Sequence, residues 1–192
     1  MKLFIRKSVS EESLIAGCIK QKGSDQKALF DKYSGRMLTV CSRYIKDKLE
    51  AEGVMVTAFV KIFERITQYS GEGNFEGWMR RIMVNESLMY IRKHKSMSLN
   101  IDIEEAHHLP NFEAVEDHLQ AEDLLQMISE LPVGYRTVFN LYAIEGYSHK
   151  EIAEQLNISE NTSKSQLSRA RAHLQKCLVD MEQEIEMNHG IK

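Results

Sequence analysis

Short polar side chains and cations recur along one face of residues 160–174. At about 100° per residue, one face of a helix would carry Asn161, Ser165, Ser168 and Ala172, flanked by Lys164 and Arg169. The opposite face would carry Ser163, Leu167, Ala170 and Leu174. Hydroxyl, amide and cationic groups on short stems can hydrogen-bond to base edges and phosphates. The spacing therefore predicts a helix that packs on one side and contacts DNA on the other.

The residues before this helix predict a second, shorter helix and a tight turn. Ser148 followed by Glu151 fits a capping box, and Ile152, Ala153 and Leu156 form an inward stripe. Asn157 tolerates positive φ at the turn, and Ser159 can cap the following helix. The alternative is an ordinary amphipathic hairpin with a solvated outer face. Because the caps, the turn and the cations agree, we interpret the unit as a DNA-binding helix-turn-helix.

A second stripe lies on a predicted helix at residues 75–94. It contains Trp78, Arg81, Asn85 and Arg92, at positions i, i+3, i+7 and i+14. An aromatic ring, an amide and two guanidinium groups can stack on bases and hold a phosphate backbone. The alternative is that Trp78 is half-buried core and the arginines are solvated. Only the helix-turn-helix elsewhere in the chain shifts the interpretation toward nucleic acid.

Helical periodicity extends along most of the remaining chain. Helices are predicted at 25–48 and 49–68, with a loop over residues 69–74 before the helix at 75–94, and two more helices between Ala121 and Tyr142, separated at Pro132. The predicted inward faces are Leu29, Tyr33, Met37, Val40, Cys41 and Tyr44; Met55, Phe59, Ile62, Phe63 and Ile66; and Phe75, Met79, Ile82, Met83, Met89 and Tyr90.

Two valines are predicted to point away from the core face of the helix at 49–68. Val54 and Val60 would lie outward, beside Thr57 and Lys61. This set is either a partner surface or a scatter of surface residues that needs no explanation.

Composition places these parts in an all-α chain with two small helical bundles. Residues 1–95 are predicted to form the first bundle, 96–120 an acidic linker, 121–180 the helix-turn-helix bundle and 181–192 a polar tail. The net charge of −3 is unusual for a stand-alone DNA-binding protein, whose affinity comes largely from neutralising phosphates. We therefore expect a larger partner that supplies most of the affinity.

Cysteine and histidine usage argues against a metal or disulfide framework. Cys18, Cys41 and Cys177 are scattered and odd in number, which favours reduced cytoplasmic thiols. The histidines lack the cysteine or carboxylate spacing of a zinc site. No apolar run reaches membrane-spanning length, so we predict a cytoplasmic protein without metal, cofactor or membrane insertion.

At this point the order of parts resembles a known family, the bacterial RNA polymerase sigma factors of the two-domain extracytoplasmic-function type. Residues Leu29 to Tyr44 resemble the first helix of sigma region 2. Residues Phe75 to Arg92 resemble that region's promoter-reading helix. Residues Leu131 to Arg171, with the helix-turn-helix, resemble region 4, and this last stretch is the most specific.

The resemblance implies how the two bundles would act. Region 2 would bind the polymerase clamp and the downstream promoter box, and region 4 the upstream box and the polymerase flap. By matching position, the upstream box would be read by Lys164, Ser165, Ser168 and Arg169, with Gln166 at the edge. Arg81 and Asn85, with the loop 69–74, would hold the unpaired strand with one base flipped out. The linker would thread toward the RNA exit path, and an anti-sigma factor is a possible partner.

The chain departs from the family pattern in two places. Acidic and amide groups expected at the clamp contact are replaced by Gly53, Val56 and Thr57. Asn161-Thr162-Ser163 stands where Gly-Thr-Val is frequent, and the Ser163 hydroxyl is expected to bond back to a backbone carbonyl.

Three other classes of protein would require other features. A free-standing helix-turn-helix regulator would bind its promoter without polymerase. A recombinase would need a Ser or Tyr nucleophile amid clustered arginines and carboxylates, and no such cluster occurs; nor is there a nucleotide-binding glycine-rich loop. A pure interaction protein would leave the polar face of residues 161–169 unexplained. The sequence thus favours a non-enzymatic sigma factor with no small-molecule substrate.

Overall fold

The computed structural model of this chain describes residues 10–99 and 121–189, and within these ranges it contains helices and turns but no strand. The predicted all-α class is confirmed. In order, the elements are α1 (Glu11–Ile19), α2 (Gly23–Tyr44), α3 (Lys48–Arg65) with a 3-10 turn (Ile66–Gln68), α4 (Phe75–Leu99), α5 (Ala121–Glu130), α6 (Val133–Phe139) running into a π-helical segment (Asn140–Ile144), α7 (His149–Leu156) and α8 (Glu160–His189).

Contacts divide the chain into two compact units, Met1–Ser87 and Leu88–Lys192, with the division inside α4. The first residues of the predicted linker, 96–99, belong to α4, and the rest of it, 100–120, lies outside the described residues. The predicted polar tail begins as the last turns of α8, which continue to His189, with 190–192 outside the described residues.

Helix α1 has no counterpart among the predicted elements. Ser10 caps it by accepting a hydrogen bond from the Ser13 amide at 3.2 Å, and its Leu14 and Cys18 are buried. It packs closely on α2, since a Cβ at Gly17 would collide with the Asp25 carboxylate. A short helix whose stability comes from packing on its neighbour gives little periodic signal in the sequence.

The core of the first unit is built from α2, α3 and the first turns of α4. The buried apolar residues include Leu29, Tyr33, Met37, Val40, Cys41 and Tyr44 of α2; Ala51, Val54, Met55, Ala58, Phe59 and Ile62 of α3; and Phe75, Met79, Met83 and Val84 of α4. Burial raises the pKa of the Cys18 and Cys41 thiols to about 11, so both are protonated, unreactive core groups at neutral pH.

The second unit packs α5 and α6 against α8. Ile128, Leu131, Ala170 and Leu174 form a buried apolar cluster in it, with Met127, Tyr135 and Phe139 partly buried around them. The buried Arg136 fastens the turn before α6, because its Nη1 donates to the Ser129 carbonyl at 2.8 Å and to the Leu131 carbonyl at 3.4 Å. These bonds satisfy carbonyls left open at the C-terminal end of α5.

Candidate nucleic-acid interface

The predicted capping box begins α7. The Glu151 amide donates to Ser148 Oγ at 3.3 Å, and the Ser148 amide donates to Glu151 Oε2 at 2.8 Å. The Ser148 hydroxyl also donates to Glu151 Oε2. The hydrogen bonds from the Ser148 amide and hydroxyl to the carboxylate lower the pKa of Glu151. The start of the helix-turn-helix is therefore fixed by two residues three positions apart, as the spacing predicted.

The turn between α7 and α8 is also as predicted. Asn157 adopts left-handed backbone angles, φ 55° and ψ 48°, and the Ile158 amide donates a hydrogen bond to the Ala153 carbonyl at 3.1 Å. Ser159 caps α8, since its Oγ accepts from the Thr162 amide at 2.9 Å. These local bonds end α7, form the turn and begin α8 within four residues.

Helix α8 presents most of its predicted DNA-facing residues away from the core. Asn161 and Lys164 are exposed, and Ser165, Ser168 and Arg169 are half-buried. The buried side is made of Ser163, Gln166, Leu167, Ala170 and Leu174.

Gln166 does not lie at the edge of this surface, as the resemblance implied. Its side chain is 3% exposed and packs on α6, where a Cβ at Gly134 would lie 3.2 Å from its amide nitrogen. At 100° per residue Gln166 is 60° from Ser163, within the buried side of α8. The expectation of a surface position for Gln166 is wrong, because glycine in α6 lets the two helices approach over it.

Ser163 makes a different hydrogen bond from the one expected. Its Oγ lies 2.9 Å from Nδ1 of His149 in α7, instead of bonding a backbone carbonyl of its own helix. The prediction assumed the usual local partner of a helical serine and missed one supplied by the neighbouring helix.

Lys164 is engaged in a surface ion pair with Glu160, with Nζ 3.0 Å from Oε1 and both side chains about half exposed. The pair lowers the pKa of Glu160. Exposed pairs of this kind contribute little to stability, so the ammonium group can exchange its carboxylate for a phosphate at small cost.

The stripe on α4 is exposed except at its first residue. Arg81, Asn85 and Arg92 are exposed, whereas Trp78 is half-buried and stacks on Phe75, with ring centroids 5.6 Å apart and 21° between the planes. The half-buried Trp78 and the exposed arginines agree with the alternative interpretation, and the same exposure leaves Arg81, Asn85 and Arg92 accessible to nucleic acid.

Met89 was predicted to face the core and is instead 49% exposed. It follows the buried Met83 by six residues, a rotation of about 240°, so the two cannot share one face. At that spacing Met89 falls within the stripe, between Asn85 and Arg92. Sequence reasoning could have found it by the same helical spacing that identified its neighbours.

The loop before α4 is held in a folded shape. Gly71 and Gly73 have φ of 79° and 78°, which favours glycine. The Tyr69 hydroxyl donates to the Gly73 carbonyl at 2.7 Å, and the Tyr69 ring packs edge-on against Phe75 at 5.0 Å. Asn74 begins α4 by accepting from the Glu76 amide at 2.8 Å.

A cavity of about 610 Å³ opens beside the end of this loop. Its lining consists of Glu11, Lys32, Tyr33, Arg36, Gly73, Asn74, Phe75 and Glu76. Arg36 pairs with Glu76 at 2.6 Å and Lys32 with Glu11 at 3.3 Å, and the Tyr33 hydroxyl also donates to Glu11. None of Lys32, Tyr33 and Arg36 was identified as a site residue from the sequence, since they belong to α2 and only packing brings them to the loop.

The residues exposed on α3 differ in part from the predicted partner surface. Val54 is only 7% exposed, so the expectation that it points outward with Val60 is wrong: six residues along a helix turn the side chain through about 240°. Thr57 is exposed and its hydroxyl donates to the Gly53 carbonyl at 2.9 Å. Lys61 is bound to Glu86 of α4, with Nζ 2.7 Å from both carboxylate oxygens.

Three large apolar residues do lie exposed on α3. Leu49 is 78% exposed, Val56 50% and Val60 52%. With the exposed Gly53 they stand at i, i+4, i+7 and i+11, one stripe of a helix. We call these four residues the α3 stripe.

The described residues hold no cluster of three or more His, Cys, Asp or Glu side chains placed to bind a metal ion. Among the described helices, none combines the length and the apolar character required to cross a membrane.

Two family models match this chain. The model for sigma-70 region 2 matches residues 29–97, and the model for sigma-70, region 4 matches residues 121–174. The first match contains α3 and most of α2 and α4, and the second contains α7 and the first half of α8.

The chain is also similar to curated relatives, and a structural comparison gives one weaker likeness. The chain is 32% identical over 186 residues to the ECF RNA polymerase sigma factor SigW of Bacillus subtilis, covering 88% of this chain and all of that protein. It is 27% identical over 159 residues to the RNA polymerase sigma-H factor of Pseudomonas aeruginosa, covering 77% and 82%. The sigma factor RpoE of Bartonella quintana, solved with the anti-sigma factor NepR, is 20% identical with a TM-score of 0.47, covering 81% and 97%.

Proposed function

Since this chain belongs to the sigma-70 family of RNA polymerase sigma factors, in its extracytoplasmic-function (ECF) branch, we propose that α8 and α4 carry its two promoter-reading surfaces. As a member of that family it is a non-enzymatic subunit that directs promoter-specific initiation by RNA polymerase. The observation that supports the proposal is a polar, cationic face on α8 and a second one on α4.

The upstream promoter box would be read by α8. Asn161, Lys164, Ser165, Ser168 and Arg169 lie on the side of the helix away from its buried residues. Their short hydroxyl and amide groups suit the major groove, which displays a distinct donor and acceptor pattern for each base pair. The two cations suit the flanking phosphates, which set position without sequence information.

The downstream box would be bound by α4 and the loop 69–74. Arg81, Asn85 and Arg92 offer hydrogen bonds and charge along the stripe, and Met89 offers a polarizable apolar surface for an unstacked base. The part of Trp78 that is exposed can serve the same purpose. The folded loop, held by the contacts of Tyr69 with Gly73 and Phe75, suits the binding of one flipped base of the unpaired strand.

Energetics favour a subunit over an independent DNA opener. Melting about a dozen base pairs forfeits roughly 1.4 kcal/mol of stacking per step, whereas stacking on a protein aromatic returns about 1–3 kcal/mol per base. Trp78 and one flipped base could start the opening, and polymerase core must hold the remainder. The net charge of −3 agrees with weak DNA binding until core joins.

The polymerase clamp would be bound by the α3 stripe. Leu49, Val56 and Val60 supply exposed apolar area next to a glycine that has no heavy atom near its missing Cβ. A glycine inside a helix costs about 1 kcal/mol relative to alanine, and Gly53 differs from the exposed Gly35 of α2 in standing among exposed apolar side chains. A partner that approaches the backbone closely at Gly53 would offset that cost.

Two further assignments follow from the same proposal. Activity on chromosomal promoters would place the protein in the cytoplasm, and the polymerase flap would be the second contact on core, through the unit that contains α8. An anti-sigma factor remains a prediction carried by the resemblance.

Run-off transcription tests the proposal directly. Purified core polymerase is combined with the full chain and a promoter library from upstream DNA of the same genome. We expect new, discrete start sites that require both boxes. Absence of added specific initiation across the library would reject the two promoter-reading surfaces.

The free-standing regulator, which the comparisons do not favour, makes a different prediction in the same experiment. It would bind the selected promoters tightly in gel shifts without core and would leave start-site choice by core alone unchanged. A sigma factor is expected to bind these promoters weakly when core is absent. Both gel shifts are run at the same salt concentration, because DNA affinities measured at different salt concentrations cannot be compared.

A further inference from the structure

A polar contact joins α7 to α8. Nδ1 of His149 lies 2.9 Å from Oγ of Ser163, and Ser163 is fully buried, as is Ala170 on the same face of α8. A buried hydroxyl is destabilising unless it is hydrogen-bonded. The contact therefore fixes one point of α8 against α7.

The imidazole ring is supported on its other side. It stacks on Tyr142 of the π-helical segment, with centroids 4.7 Å apart and 23° between the planes. The Arg171 guanidinium lies 5.8 Å from the centroid of the Tyr142 ring. The stacked rings of Tyr142 and His149 thus contact α8 at two of its residues, Ser163 and Arg171. These two residues are about 12 Å apart along the axis of α8.

We propose that His149 and Ser163 are a positioning pair that sets the rotation of α8, and so determines which base edges its outer face reads. The proposal rests on the proposed role of α8 at the upstream box. Ser163 directly precedes Lys164, so a change at this contact is transmitted immediately to the outer face.

Geometry determines which property the pair controls. A rotation of 20° moves the tip of a helical side chain by about 2 Å, because the helix with its side chains is about 10–12 Å in diameter. Hydrogen bonds to base edges do not survive such a displacement, whereas the long, flexible stem of a lysine still reaches a phosphate. Loss of the pair should therefore lower discrimination between boxes more than it lowers DNA binding.

Variants of the histidine separate the hydrogen bond from the stacking. His149→Asn places an amide near the position of Nδ1, so it keeps the hydrogen bond and loses the stacking. His149→Phe keeps an aromatic ring against Tyr142 and loses the hydrogen bond. Ser163→Ala removes the hydroxyl from the other side, and the double variant S163A/H149F tests whether the two residues act as one unit.

The readout is the ratio of run-off product from a selected promoter to that from the same promoter with a scrambled upstream box, using holoenzyme with the full chain. We expect S163A and H149F to lower the ratio about three- to tenfold, the double variant to lower it no further, and H149N to keep most of it. Core binding and thermal melting are measured on the same samples, so that only folded protein is compared.

Two outcomes would overturn the pairing. One is an unchanged ratio in both S163A and H149F; the other is a loss in H149N while H149F keeps the ratio of the unaltered protein, which would assign the effect to the stacking. If H149F does not fold, Ser163→Val takes its place, because valine fills the site without a hydroxyl: a ratio as low as that of S163A supports the hydrogen bond, and a ratio equal to that of the unaltered protein overturns it. A ratio of one in the unaltered protein would instead reject the role of α8 itself, and this inference with it.

Discussion

Lys61 of α3 and Glu86 of α4 form a bidentate ion pair, with the lysine Nζ 2.7 Å from each carboxylate oxygen. The Glu86 side chain is only 10% exposed and the Lys61 side chain 28%. A carboxylate in such a place needs its cation, because an unpaired buried charge is strongly destabilising. Lys61, which the sequence suggested as a partner contact, therefore also has a structural role within the first unit.

Lys61→Ala should lower the free energy of unfolding by about 3 kcal/mol, since it leaves Glu86 without its partner. Glu86→Gln in the same chain should restore a large part of the loss by removing the unpaired charge. Urea unfolding of both variants provides the measurement. A loss below about 1 kcal/mol in the single variant would show that solvent already screens the pair.

Gly53→Ala should stabilise α3 and weaken binding to polymerase core. Alanine in a helix interior is favoured over glycine by about 1 kcal/mol, but its methyl group would stand in the centre of the α3 stripe. Affinity for core and thermal stability are measured together, and we expect them to change in opposite directions.

Gly35→Ala is the matched control for that change. Gly35 is also exposed inside a helix with no atom near a Cβ, and its carbonyl accepts from Thr39 at 3.1 Å as that of Gly53 does from Thr57 at 2.9 Å. We expect it to stabilise the fold equally and leave core affinity unchanged. Equal core affinity in the two variants would remove the α3 stripe from the clamp contact.

Lys164→Ala should reduce promoter binding by holoenzyme and lower the salt dependence of that binding by about one unit of slope, as expected for one lost phosphate contact. Lys27→Ala is the control, because Lys27 forms an equivalent surface pair with Asp31 at 2.6 Å, also four residues apart. Filter binding over a range of salt concentrations gives both slopes. An identical slope for the two variants would contradict a phosphate contact at Lys164.

Asn157→Gly should leave the helix-turn-helix unit about as stable as before, whereas Asn157→Val should destabilise it by roughly 1–2 kcal/mol. The reason is the left-handed backbone at this residue, with φ 55°, which a β-branched side chain resists. Thermal melting of the full chain followed by a reporter in the second unit measures the change. Valine tolerated without loss would mean that the turn can adopt other backbone angles.

The stability of the second unit should fall as pH drops below about 6.5, the ordinary histidine value. Burial, and then the nearby Lys164 and Arg171, lower the pKa of His149, while Glu160 acts in the opposite direction. The unfolded chain therefore takes up a proton that the folded chain resists, and the stabilisation present above this pH is lost as pH falls toward the lowered pKa.

His149→Phe should remove this part of the pH dependence, which melting curves between about pH 8 and 5 would measure. The lowered carboxylate pKa values of Glu151 and Glu160 act below the ordinary glutamate value of about 4.3, outside that window. The same pH slope in both proteins would place the titrating group elsewhere.

The helix-turn-helix could be predicted from the sequence because its determinants are local. Ser148 with Glu151, the left-handed Asn157 and the Ser159 cap each act within about four residues, so spacing and residue type suffice to define them. The outer face of α8 follows from the same helical period. Most of the inner faces of α2 and α3 were predicted for this reason.

Tertiary structure decided the residues at the margins of each face. Periodicity gives the direction in which a side chain leaves its helix, but it does not tell which of the side chains at the edge of a face a neighbouring helix buries. Glycine in α6 buries Gln166, the packing of α3 buries Val54, and Met89 is left exposed. The pairs Lys61–Glu86 and His149–Ser163 join residues 25 and 14 positions apart, and only the packing of two helices sets such distances.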